Sequence, residues 1–187
     1  MTLPASVEGS ERLRLFCALR LPHETAERLA AWQREAFTGV PEVRPLAAEH
    51  LHVTLAFLGH RPAAELEGIL GALRDAAARA EPPLLSLHGY RETRSVGMLT
   101  FDDAGGRAAA LATDLHGRLA ALGVYEPERR KWLPHVTVLR FRKRPGLRPV
   151  LPDLEPVLPS DAAAFLSRLR PGGAQYEVLE SMAVGGR

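Results

Sequence analysis

The tetrapeptide His52-Val53-Thr54-Leu55 returns 83 residues later as His135-Val136-Thr137-Val138. Each copy stands in an apolar setting, LHVTLAFLG and PHVTVLRF, that reads as a β-strand. Alternation projects His52 and Thr54 from one face of the first strand and Leu51, Val53, Leu55 and Phe57 from the other. In the second strand His135 and Thr137 share a face, while Val136 and Val138 point the opposite way. Two such copies facing one cavity supply what hydrolysis of a cyclic phosphodiester requires: a base for water, an acid for the leaving ribose oxygen, and donors to the non-bridging oxygens. Histidine suits both proton roles, because its ordinary pKa of ~6.5 lies near neutral pH. A single His-x-Thr triplet is usually structural. A repeated one is harder to read that way, since inward polar pairs with nothing to bind are costly to bury.

Other polar residues offer less. His50 precedes His52 by two and invites a metal reading, but no Cys, His or Asp cluster with ligand spacing lies nearby, so no metal or other cofactor is expected. His23, His60, His88 and His116 read as surface or helix-face residues. Asp102-Asp103 reads as a turn pair before Gly105-Gly106. Phe16, Trp132 and Tyr176 are candidate base-stacking groups, with packing the simpler role. Cys17 reads as a buried small hydrophobe.

The elements that must position the two histidines follow from hydrophobic periodicity. Leu13, Leu15, Cys17 and Leu19 alternate with Arg14, Phe16, Ala18 and Arg20 as in a strand. After Pro22, Ala26, Leu29, Ala30, Gln33 and Phe37 fall on one helical face, which Gly39 and Pro41 end. A short extended piece from Val43 to Leu46 leads into the strand Leu51 to Leu58, which Gly59 closes. Pro62 opens a helix that turns Leu66, Ile69, Leu70 and Leu73 inward. Strands are expected at Leu84 to Tyr90 and Val96 to Asp102. Ala108 to Leu122 forms the clearest helix, with Gly123 as its C-cap. The strand His135 to Phe141, a Pro-rich loop to Pro159, and strands near Ala163 to Leu169 and Gln175 to Met182 complete the chain. Short connections between neighbouring strands imply antiparallel pairing, hence an α+β sheet.

The 187 residues fit one domain, here 1–187, with residues 1–11 as a flexible leader. Hydrophobic content of 46% and charged content of 25% are those of an ordinary globular protein. One cysteine excludes an internal disulfide and fits a reducing compartment. The N-terminus lacks the pattern of a signal peptide and no apolar run has the length of a membrane span, so a cytoplasmic protein without a membrane partner is expected. The net charge of +2 hides a segregation. Residues 129–148 hold eight basic side chains and no acidic one, which leaves 16 basic against 22 acidic elsewhere. Such a stretch suits a phosphate-bearing partner, or is a solvated loop.

Taken with RLFCALRLP near the start and Gln175-Tyr176 in the closing strands, the paired motifs resemble those of the two-histidine (2H) phosphoesterases, within them the RNA 2′,3′-cyclic phosphodiesterases also called 2′-5′ RNA ligases. The resemblance implies a bilobal fold: two pseudo-symmetric lobes of mainly antiparallel sheet, helices outside, and the active site in the central cleft. It implies His52 as proton donor, His135 as proton acceptor, and Thr54 and Thr137 as phosphate binders. It also points to Arg140, which in an ideal strand is out of phase with His135 and needs a bulge or the strand end to turn it inward. The implied partner is RNA with a 2′,3′-cyclic phosphate end, or a small cyclic nucleotide, with no obligatory protein partner. The implied product is a 2′-phosphomonoester. The alternatives are 2′-5′ ligation as the main activity and a non-catalytic module that binds RNA ends.

Overall fold

The computed structural model describes residues 12–171 and 173–185; the expected leader 1–11 lies outside the described residues. Among the described residues eight strands form one antiparallel sheet: β1 (Arg12–Arg20), β2 (Val43–Pro45), β3 (His52–Pro62), β4 (Leu85–Glu92), β5 (Val96–Asp103), β6 (His135–Phe141), β7 (Asp161–Arg170) and β8 (Gly173–Met182). Their order is β4-β5-β6-β3-β1-β7-β8, and β2 pairs with β6 beside β3. Three helices, α1 (His23–Ala36), α2 (Leu66–Arg79) and α3 (Arg107–Ala121), contribute to the main core.

The alternation in β1 assigns the two faces of the sheet. Leu13, Leu15, Cys17 and Leu19 join Leu29, Ile69, Leu73, Leu111 and Leu115 in the main core. Phe16 and Ala18 join Ala163 and Phe165 in a smaller cluster, with Tyr176 packed against it. Cys17 is fully enclosed, and burial pushes its thiol up to about 12, so it stays protonated and inert.

The midline of the sheet is thin. β3 and β6 are in register only at Val53 and Val136, after which the strands part. β2 takes over along the far length of β6, and the Trp132 indole fills the gap on the β3 side by donating to the Thr54 carbonyl at 3.0 Å. The two groups of strands thus make two halves of one sheet, joined at the point where both repeated motifs begin.

Two elements differ from the sequence expectation. β3 does not end at Gly59; it continues to Pro62, with Gly59 at φ 67° inside it, paired with Leu15. The second helix starts after a 3₁₀ turn at Ala63–Glu65 instead of at Pro62 itself. Asp103 is more than a turn residue, because its carboxylate accepts from the backbone N–H groups of Ala108 and Ala109 and caps the first turn of α3.

Candidate active site

The single register pair sets the geometry of the site. With Val53 opposite Val136, extending the antiparallel register by one residue each way sets His52 across from Thr137 and Thr54 across from His135. The four polar residues of the repeat therefore flank the valine pair crosswise, on the face opposite to the valines. Val53 and Val136 are both fully buried in the main core, which fixes that orientation.

Each strand carries one extra residue just past its threonine. Against β5, β6 steps from Thr137 to Leu139 and leaves Val138 unpaired with that strand. Against β1, β3 steps from Thr54 to Ala56 and leaves Leu55 in the same position of the repeat. These bulges shift the phase of alternation, so Leu55 and Ala56 are both buried, as are Val138 and Leu139. The next residue then faces the cleft. Arg140 is turned inward by this device, which answers its poor phase in an ideal strand. Phe57 is turned the same way, and at 51% exposure it is a cleft residue, not the core residue that simple alternation predicts. Arg140 and Phe57 occupy equivalent places in the two repeats. The sign in the sequence was the pair of adjacent apolar residues after each threonine, a break in the two-residue period.

The bulges expose backbone groups that need partners. The Leu55 carbonyl accepts from His116 Nε2 of α3 at 2.7 Å. The Val138 carbonyl accepts from the Leu46 N–H at 3.0 Å, and Leu46 is held at both its backbone groups by the buried Gln33 amide of α1. Gln33 and His116 each stand 19 residues before the histidine of their own repeat, yet each steadies the bulge in the other. His116 also stacks on Tyr125, with ring centroids 4.7 Å apart. These bracing roles were not read from the sequence, because they depend on which bulge a helix happens to cover.

Both histidines are oriented by the same local bond. His52 Nδ1 lies 2.8 Å from the His50 carbonyl, and His135 Nδ1 lies 2.9 Å from the Leu133 carbonyl. A carbonyl can only accept, so Nδ1 carries hydrogen in each ring and Nε2 holds the lone pair of the neutral form. Their surroundings differ. His52 stacks on Phe16 at 4.9 Å, with Tyr176 edge-on at 5.6 Å. Burial is the main cause that brings its pKa down to about 4; the His50 carbonyl bond opposes this, while the positive charges of His135, His50 and Arg140 add to it. His135 is partly exposed, and among the described residues no aromatic ring stacks on it as Phe16 does on His52.

The cleft holds a cavity of about 470 Å³ whose wall includes His52, Thr54, Thr137, Arg140, Phe57 and Arg14. His135 is near enough to act electrostatically on His52. A larger groove of about 740 Å³ lies between α1 and residues 148–154, lined by Trp32 and prolines, away from both motifs. Among the described residues, no three His, Cys, Asp or Glu side chains are grouped to hold a metal ion. Phe16 and Tyr176 pack around His52, whereas Trp132 bonds to β3 instead of lying open for a base. Within the basic stretch, Arg144 is not free: it pairs with the buried Glu92 carboxylate at 3.2 Å. Burial alone would raise Glu92, but the N–H groups of Leu147 and Gly146, with Arg144 and Tyr90, hold it below the ordinary carboxylate value.

Comparison with known proteins agrees with this architecture. A family model described as the 2′-5′ RNA ligase superfamily matches residues 21–170. The chain is 35% identical to an RNA 2′,3′-cyclic phosphodiesterase of Thermus thermophilus, over 93% of this chain and 91% of that one. It is also 35% identical to the Escherichia coli protein of the same name, over 70% and 73%. The crystal structure of E. coli LigT complexed with 3′-AMP superposes with a TM-score of 0.76 at 26% identity, covering 94% of this chain and 99% of that one.

Proposed function

This chain belongs to the 2′-5′ RNA ligase superfamily, and from that premise we propose that it is an RNA 2′,3′-cyclic phosphodiesterase that opens a terminal cyclic phosphate to a 2′-phosphomonoester. The observation that carries the proposal is the crosswise placement of His52, Thr137, Thr54 and His135 beside Arg140. The two hydroxyls and the guanidinium donate to the non-bridging oxygens of the bound phosphate and favour the charge that builds up on them. His135 Nε2 takes the proton from water as its oxygen attacks phosphorus. His52 Nε2 gives a proton to the departing ribose 3′-oxygen as the P–O bond breaks. One P–O bond is made and one broken, and the two histidines exchange protonation states.

The acid role places a condition on His52. With a pKa of about 4, its ring is neutral in the empty cleft at pH 7. The anionic phosphate, arriving beside Nε2, favours the imidazolium and charges the ring when it is needed. Enclosure against Phe16 thus makes the acid dependent on substrate. A single buried thiol fits work in the reducing cytoplasm.

The direct test is to incubate EDTA-treated protein with an RNA ending in a 2′,3′-cyclic phosphate and identify the phosphate left behind. A 2′-phosphate formed without added metal is expected. A 3′-phosphate, or activity that returns only with a divalent ion, would overturn the mechanism.

A further inference from the structure

Arg14 is a cation in the cleft that the chemistry above does not use. Alternation in β1 puts it on the same face as Phe16, and the strand rise of ~3.4 Å per residue sets it about 7 Å further along, away from Thr54. Its guanidinium is fixed on two sides. Nη1 donates to the buried Ser167 hydroxyl at 2.6 Å, and the group lies over the Phe57 ring, 4.7 Å from its centroid. Among the described residues no carboxylate pairs with it. A guanidinium has five N–H donors, so a fixed and unneutralised fork remains directed at the cavity it lines. Arg170, from the end of β7, adds a second positive charge to the same wall.

The cavity therefore has two cationic poles. Arg140, with the threonines, is one; Arg14, lying over Phe57, is the other. On the reading given above, the first pole takes the cyclic phosphate. The nucleoside must then extend along the remaining cavity, and the next anion on an RNA chain is the phosphate on the 5′ oxygen of that same terminal ribose. We propose that Arg14, held by Ser167 and Phe57, is the subsite for this 5′-phosphate. The site would thereby favour a phosphorylated terminal nucleotide over a bare nucleoside 2′,3′-cyclic phosphate. This inference rests on the cyclic phosphodiesterase reading.

The test uses cytidine 2′,3′-cyclic phosphate with and without a 5′-phosphate, and reads the ratio of their kcat/KM values. The wild-type ratio should be about tenfold in favour of the 5′-phosphorylated form, the effect of one charge-assisted hydrogen bond. Arg14→Gln should bring the ratio close to one. Arg14→Lys, which keeps the charge but not the planar fork, should leave an intermediate ratio, and serves alone if the Gln variant does not fold. A wild-type ratio near one, or a ratio that survives in the variants, overturns the subsite. If wild-type protein opens neither compound nor a cyclic-ended RNA, the reading of the cleft fails and the subsite falls with it.

Discussion

The two repeats share their backbone device and differ in what surrounds it. In β3, His52 is packed against Phe16 and Tyr176, and Phe57 occupies the position after the bulge. In β6, His135 is partly exposed and Arg140 takes the equivalent place. Repeated strands thus bring two like imidazoles together, and unlike neighbours make them chemically different. One is enclosed and lowered to about 4; the other lies toward solvent. Symmetry supplies the parts, and its local failure gives them different environments.

The largest way to break this comparison is to remove the rings. His52→Ala and His135→Ala should each lower turnover by ~10²–10⁴ while leaving the fold intact, as circular dichroism would show. A variant at wild-type rate would remove that histidine from the mechanism. Next come the hydroxyls: Thr54→Val and Thr137→Val keep a β-branched residue in each strand and should cost about 1–3 kcal/mol of transition-state stabilisation, read as kcat/KM. Similar losses at both would mean that the phosphate is held evenly by the two repeats; an unchanged value at both would make the hydroxyls structural.

Acid stability separates the histidines further. The His52 pKa is about 4 when folded and ~6.5 when unfolded, so the unfolded chain binds its proton first as pH falls. Stability should drop between about pH 6.5 and pH 4 and show no further loss from this group below that. The full effect is on the order of 3 kcal/mol, and it should be missing from a His52→Gln variant in urea titrations at a series of pH values. A slope that persists in that variant would show that another group carries it.

The braces allow a finer comparison. His116→Phe leaves the Leu55 carbonyl without its donor and should cost about 1–3 kcal/mol in stability, with kcat reduced more than KM is changed. His116→Gln, which can still donate, should recover much of both. The smallest effect belongs to the basic loop. Arg142→Gln with Lys143→Gln should only flatten the salt dependence of binding to longer RNA, measured by titration at several salt concentrations. Arg144 must be left out of that test, since its loss would also disturb Glu92.

Much of the fold was legible because it follows from period. The alternation of Leu13, Leu15, Cys17 and Leu19, and the helical spacing from Ala108 to Leu122, each required a buried face and found one. The motif pair was legible because identical residues recurred in like surroundings. What escaped was set by the insertion of single residues. Phe57 was expected in the core and stands in the cleft, because one extra residue at Leu55 reverses every side chain that follows until the next irregularity. Arg14 and His116 escaped for another reason. An arginine in an alternating strand and a histidine on a helix gain meaning only from partners 153 and 61 residues away.

The crossed braces also interlock the two halves. Gln33 lies in the first repeat and, through Leu46, steadies the strand of the second, while His116 does the reverse. Neither bulge would keep its brace if the halves came apart, so each half depends for the shape of its own strand on a helix of the other.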